Sequence, residues 1–150
     1  MTEEEVLAAE DPNAPAAFSI VERVRFGDLD AMQHLNNVEF LRYFESARIA
    51  YLQQLLPEHD PTVRDRFGWI LAECHIRYRS PGFFDEMLRI FIRPGELKRS
   101  SFELLFEIRG EDDDRLVAEG SGTMVGYDYS AATAEAIPDD IRERLGSDTA

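Results

Sequence analysis

The stretch FGDLDAMQHLNNVEFLRYFESARIAY, Phe26 to Tyr51, joins a polar knot, Asp28 to Asn37, directly to a run that is apolar on most sides. The knot carries two acids, Asp28 and Asp30. It ends where a helix would leave its first backbone N–H groups without acceptors. Val38, Phe40, Leu41, Phe44, Ala47, Ile49, Ala50, Leu52, Leu55 and Leu56, with Tyr43 and Tyr51, cover more than one stripe of a helix. The spacing therefore predicts a helix from about Asn37 to Leu56 that is buried on several sides. Pro57 stops it.

On either side of this stretch the pattern changes to period two. Phe18 to Arg25 reads as a first strand ended by Gly27 and Asp28. After a polar connection from Glu58 to Gly68, Ile70, Ala72, Cys74, Ile76 and Tyr78 alternate with polar or outward residues, giving a second strand. Ser80-Pro81-Gly82 is a turn. Leu88, Ile90 and Ile92 mark a third strand, and Phe102, Leu104, Phe106 and Ile108 a fourth. GEDDD, Gly110 to Asp114, reads as a hairpin tip, and Arg115 to Tyr129 as a long fifth strand. That strand holds Gly120, Gly122 and Gly126, which are expected where another backbone, that of the helix, comes close. Strand, helix, then four strands on short turns predict an α+β domain: an antiparallel sheet of about five strands curled around one long helix. A sheet curled on one helix leaves unpaired edges, so a homodimer is expected.

The ends read differently. Residues 1–17 are rich in Ala, Glu and Pro and are expected to be a mobile acidic tail. The domain then covers 18–129, and 130–150 form an extension in which Pro138 to Leu145 could make a short helix. At 150 residues and 44% hydrophobic content, one domain with a real core is the simplest reading. A net charge of −14 excludes a non-specific nucleic-acid binder, which needs a basic footprint. The single cysteine, Cys74, falls on the apolar face of its strand and allows no intrachain disulfide. There is no secretory pattern at the start and no run of about 20 apolar residues, so no membrane span and a cytoplasmic location are expected. His59, His75 and Cys74 lack metal-ligand spacing, Gly120-Ser121-Gly122 does not complete a dinucleotide fingerprint, and there is no G-x-S-x-G elbow.

With this order in hand, FGDLDAMQHLNNVEFLRYFESARIAYL resembles the signature of the hotdog-fold acyl-CoA thioesterases, in the 4-hydroxybenzoyl-CoA thioesterase-like family. The shared pattern is an Asp-x-Asp turn, a His-x-Asn step, and an aromatic-rich helix holding Glu-x-Ala-Arg. LKRSSFELLFEIR, Leu97 to Arg109, is a supporting match. The resemblance runs from about Phe18 to Tyr129. It implies a hotdog fold, hydrolysis of an acyl-CoA thioester, no metal or redox cofactor, and a site completed by a neighbouring chain in a homodimer or dimer of dimers.

By residue match the resemblance implies Asp30 as the catalytic carboxylate, acting as general base or as nucleophile. It implies the backbone N–H near Asn37 as the group that polarises the thioester carbonyl. On the residues alone, an Asp-x-Asp pair before a helix is turn and cap chemistry, and Asp28 keeps that structural reading. His34 reads as a substrate-positioning group or a turn residue. Glu45 reads as a helix carboxylate pairing with Arg48 or Arg42, and as a reserve base. Lys98, Arg99 and Ser100, with Arg79, are the candidates for holding the phosphates of CoA, because a polyanion needs a local positive patch on so acidic a chain. Gln33 departs from the family, in which a glycine is common. If that glycine serves a positive φ, Gln33 must either strain the turn or change it, which leaves open a module that binds acyl-CoA or acyl-carrier protein without turnover. A hotdog dehydratase or hydratase is a third reading, without a match to its Asp-and-His helix pattern.

Overall fold

The computed structural model describes residues 18–58 and 67–149. The expected tail over 1–17 and most of the Glu58–Gly68 connection lie outside the described residues. In chain order the elements are strand β1 (Phe18–Arg23), helix α1 (Glu39–Leu55), β2 (Phe67–Tyr78), β3 (Met87–Leu97), β4 (Ser101–Gly110), β5 (Leu116–Asp128), the short β6 (Thr133–Ala134) and helix α2 (Asp139–Thr149). A 3-10 turn at Phe26–Asp28 leads into the polar knot. The sheet is antiparallel in the order β1-β3-β4-β5-β2, with β6 on β5. This is the hotdog arrangement, with α1 lying against the curved sheet.

Three sequence expectations change. Ser80-Pro81-Gly82 does not close a hairpin, since β2 pairs with β5 while β3 lies between β1 and β4. The second strand also changes phase. A bulge at Ala72 breaks the β2–β5 register between Leu71 and Glu73, so Trp69 and Leu71 share the core face with Cys74 and Ile76, while Ile70 and Ala72 turn away from it. One extra residue is enough, because side chains alternate with period two. Finally, α1 is buried along one stripe, Phe40, Tyr43, Phe44, Ala47, Tyr51 and Leu52, rather than on several sides. Val38, Leu41 and Ile49 stay exposed, because one sheet covers one face of a helix.

The stripe meets the sheet through rings. Phe40 packs edge-on against Tyr78 of β2, Phe44 against Phe106 of β4, and Tyr51 against Phe18 of β1. The helix thus spans the whole sheet. Leu88, Ile90, Ile92, Phe102, Leu104, Phe106 and Ile108 are buried as the alternation predicts. The glycines of β5 have separate reasons. A Cβ on Gly122 would stand 2.8 Å from the tip of Phe44, so the helix does press on the sheet there. A Cβ on Gly120 would instead fall on the carbonyl oxygen of His75, so the neighbouring strand, not the helix, requires that glycine. Helix α2 adds Ile141 and Leu145 to the core, and Ile137 just before it does the same.

Candidate active site

The knot is closed by its own backbone. Asp30 N–H donates to His34 O at 2.9 Å and Gln33 N–H to Asp30 O at 3.0 Å. Asp30 Oδ1 accepts the N–H groups of Met32 (2.9 Å) and His34 (3.3 Å). Leu29 and Leu35 form a β-bridge at the neck of this turn. Asp30 therefore shapes its own turn with one oxygen and does not cap the helix. Asp30 Oδ2 accepts no hydrogen bond from the described residues.

The departure at Gln33 resolves into a specific conformation. Gln33 has φ 65°, the left-handed region that favours glycine, so the turn keeps its shape and the side chain bears the cost. Gln33→Gly is expected to raise stability by about 0.5–1 kcal/mol, or about 1–4 °C in Tm, once the extra freedom of glycine in the unfolded chain is subtracted. A thermal melt checks this, and an unchanged or lower Tm would mean that the strain at Gln33 is no larger than the cost of glycine's extra freedom in the unfolded chain.

Asp28 is structural, as the sequence suggested. Its Oδ2 accepts the Tyr43 hydroxyl at 2.6 Å and the Arg25 N–H at 3.1 Å, which ties the knot to the first turns of α1. Burial, reinforced by the Asp28 carboxylate, pushes the Tyr43 hydroxyl far above its ordinary pKa, so it donates at any working pH. Tyr43→Phe leaves a half-buried carboxylate with one partner. It is expected to cost about 1.5–3 kcal/mol in denaturant unfolding, in line with hydrogen bonds to charged groups. A loss indistinguishable from zero would show that water replaces the hydroxyl freely.

The helix begins at Glu39, two residues later than expected, and Asn37 sits in the turn before it. Asn36 Oδ1 accepts the Val38 N–H at 3.3 Å, and Asn36 O accepts the Glu39 N–H at 2.9 Å. Because a trans peptide points its N–H opposite to its C=O, the Asn37 N–H is directed away from the helix. From Asp28 to Glu39, only the N–H groups of Ala31 and Asn37 find no acceptor among the described residues. Tyr78 of β2 holds this turn from the other side, its hydroxyl donating to Asn37 O at 3.0 Å.

Asp30, Asn37 and Tyr78 border an open cleft of about 310 Å³. Asp30, Met32, His34 and Asn37 line one side, with Leu35 and Phe40 at the base; Tyr78, Arg79, Ser80 and Pro81 line the other. The cleft thus brings together a carboxylate and an unused backbone donor at a helix entrance, where negative charge is stabilised. The His34 ring packs edge-on against Phe83, 5.6 Å between centroids, and makes no hydrogen bond to Asp30. Tyr78 was missed by the sequence reading, because a tyrosine at the end of an alternating strand gives no signal that it reaches a helix start.

The remaining candidates lie elsewhere. Glu45 is exposed, pairs with Arg48 at 3.5 Å, and does not line the cleft. Arg48 lies with its guanidinium 5.2 Å from the Phe44 ring centroid, and burial pulls its pKa down. Arg79 is at the cleft but pairs with Glu119 at 3.0 Å in a part-exposed bridge of the kind worth little. Lys98, Arg99 and Ser100 form the β3–β4 turn at the far end of the sheet. Tyr78 sits beside Ala118, and Ser101 beside Val125, so about 23 Å of strand separates them at about 3.3 Å per residue. Their backbone is fastened by the C-terminal segment: Ile137 N–H donates to Arg99 O, and the Arg142 guanidinium to Lys98 O.

A family model described as the thioesterase-like superfamily matches residues 24–145. The long-chain acyl-CoA thioesterase FadM of Escherichia coli (strain K12) is 29% identical over 131 residues, covering 82% of this chain and 92% of that protein. The PA5185 protein of Pseudomonas aeruginosa superposes with a TM-score of 0.78 at 22% identity, over 87% of this chain and 90% of that one. Protein SAV2348 of Staphylococcus aureus, solved in complex with CoA, gives a TM-score of 0.79 at 14% identity, over 89% and 84%.

Proposed function

Because the chain belongs to the thioesterase-like superfamily, we propose that it hydrolyses acyl-CoA thioesters in the cleft beside Asp30. The observation that carries this reading is the Asp30 carboxylate and the unused Asn37 N–H standing together on one wall of the cleft. Hydrolysis needs both parts. Asp30 takes a proton from water as the water attacks the thioester carbon, or attacks that carbon itself to give a mixed anhydride that water then opens. Asn37 N–H donates to the oxygen on which charge develops, at the positive end of α1. The tetrahedral intermediate collapses with loss of the CoA thiolate. His34, on the same wall, positions substrate, and Glu45 remains a surface ion pair.

The complex of SAV2348 with CoA supports CoA as the thiol carrier. For the acyl group, the likeness to FadM makes a long-chain acyl-CoA the first thioester to try. The second edge of β2 is unpaired among the described residues, and Leu41 and Ile49 on the helix, with Val38 just before it, are exposed. Both features support a homodimer that continues the sheet across β2. Antiparallel joining there would bring the Lys98–Arg99–Ser100 turn of a second copy toward the cleft of the first, which answers its distance from Asp30 within one chain. No helix among the described residues is long and apolar enough to cross a membrane.

The test is thiol release from a panel of short-chain, long-chain and aryl-CoA thioesters. Turnover of at least one is expected. Thermal stabilisation by an acyl-CoA with no thiol released from any would favour the binding-module reading instead. The ground for that alternative was Gln33, and Gln33 adopts the φ that the turn requires.

A further inference from the structure

We infer that Arg115, which does not line the cleft, positions the cleft's second wall and, through it, the turn that holds Asp30; as far as turnover is concerned, this rests on the thioesterase reading above. Arg115 stands just before β5, and its guanidinium donates in four directions. Nε donates to Ser80 Oγ at 3.0 Å, Nη1 to Asp113 Oδ2 at 2.6 Å, and Nη2 to Pro81 O at 3.0 Å and to both oxygens of Glu86 at 2.9 Å. Ser80 and Pro81 are cleft wall.

The wall needs such a fastener because it is a crossover rather than a hairpin, so little ladder holds it. The N–H groups of Arg79 and Ser80 both go to Val117 O, Pro81 has no N–H, and the next carbonyl, Gly82 O, accepts the Leu35 N–H at 2.8 Å. Leu35 is 3% exposed and bridges to Leu29 at the neck of the Asp30 turn. Wall and turn meet without slack, since a Cβ on Gly82 would lie 3.1 Å from the Leu35 Cβ. The contacts therefore run from the guanidinium through Pro81 and Gly82 to Leu35 and Asp30. Glu86 anchors the other end of the segment, accepting the Phe83 N–H at 3.2 Å while paired with Arg115. A planar fork reaches all these groups at once, whereas an ammonium does not.

Two variants test this. Arg115→Gln combined with Glu86→Gln removes the fork without stranding the part-buried Glu86 carboxylate; Asp113, which also loses its partner, is half-exposed and left to solvent. Arg115→Lys keeps a cation beside Glu86 and Asp113 but loses Ser80 and Pro81. In both, amide exchange at Leu35 and Ser80 is expected to quicken at least tenfold, while exchange in β4 stays unchanged. Turnover of the best acyl-CoA is expected to fall toward 10²-fold in kcat, the cost of about 1 Å of misplacement, with KM within about threefold. Lysine should restore the melting temperature and not kcat, which a purely structural role would not produce. Unaltered exchange at Leu35, or a kcat loss that follows the unfolded fraction, overturns the inference. If the wild type turns over no thioester, the thioesterase reading fails, and the exchange data alone then decide whether Arg115 holds the wall.

Discussion

Asp30→Asn is expected to lower thiol release from the best acyl-CoA by about 10³-fold, about 4 kcal/mol of barrier at 1.36 kcal/mol per decade. The substitution is close to isosteric. The amide oxygen can still accept the N–H groups of Met32 and His34 that Oδ1 accepts now, so the turn has no reason to open. Only the ability to take a proton or attack a carbonyl disappears. The expected signature is a loss in kcat with little change in KM and an unchanged melt. Unchanged turnover would remove Asp30 from the mechanism. A loss of turnover together with a lowered Tm would mean that the carboxylate is chiefly a turn residue, the bland reading of an Asp-x-Asp pair. Retention of most activity in Glu45→Gln belongs to the same experiment, because Glu45 pairs with Arg48 and does not line the cleft.

Phe44→Ala is expected to be the most damaging single truncation in the core, at about 3–5 kcal/mol. Phe44 is fully buried, its ring lies 4.3 Å from that of Phe106, and Arg48 rests on its other side. For a domain whose total stability is about 5–15 kcal/mol, this removes a large share of the margin and should lower Tm by roughly 6–20 °C. The partner for the test is Gly122. Alone, Gly122→Ala places a Cβ 2.8 Å from the Phe44 tip and 3.0 Å from a Leu71 methyl, an overpacking expected to cost about 1–3 kcal/mol. In the Phe44→Ala background the same methyl enters vacated space and should be neutral or stabilising. Denaturant unfolding of the two single variants and the double variant measures the coupling. Additive losses would show that the ring does not rest on the glycine and that the close approach has another cause.

Much of the fold could be read from alternation because burial enforces it locally. Leu88, Ile90 and Ile92, like Phe102 to Ile108, bury every second residue, and no other period satisfies a sheet with one covered face. The reading failed at Ala72, where a single bulged residue reverses the pattern on β2 without leaving a compositional mark. It failed at Ser80-Pro81-Gly82 for a related reason. Turn chemistry marks where the chain bends, not which strand it bends toward.

At the site, the residue types were legible and the assignments were not. Asp30, His34 and Asn37 stand within eight residues of sequence, so the turn between them brings them to one cleft wall. Lys98, Arg99 and Ser100 are also adjacent in sequence, yet two strands carry them to the opposite end of the sheet. Tyr78 reaches an acceptor 41 residues away at Asn37, and Arg115 one 34 residues away at Pro81; a hydroxyl or guanidinium gives no sequence sign of its distant acceptor.

From its sequence alone, this protein was determined to be an α+β domain with a polar, acidic turn ahead of a long apolar helix, because hydrophobic periodicity and turn chemistry act between near neighbours. The tertiary structure alone decided which face of β2 is inward, that Gln33 bears the left-handed turn, that the Asn37 N–H, with that of Ala31, finds no acceptor among the described residues, and that the Arg115 guanidinium donates to Ser80 and Pro81. The face of β2 and the reach of Arg115 depend on the pairing of groups far apart in the chain, set only once the sheet has closed on the helix, whereas the Gln33 turn and the Asn37 donor depend on local backbone geometry that residue type does not specify.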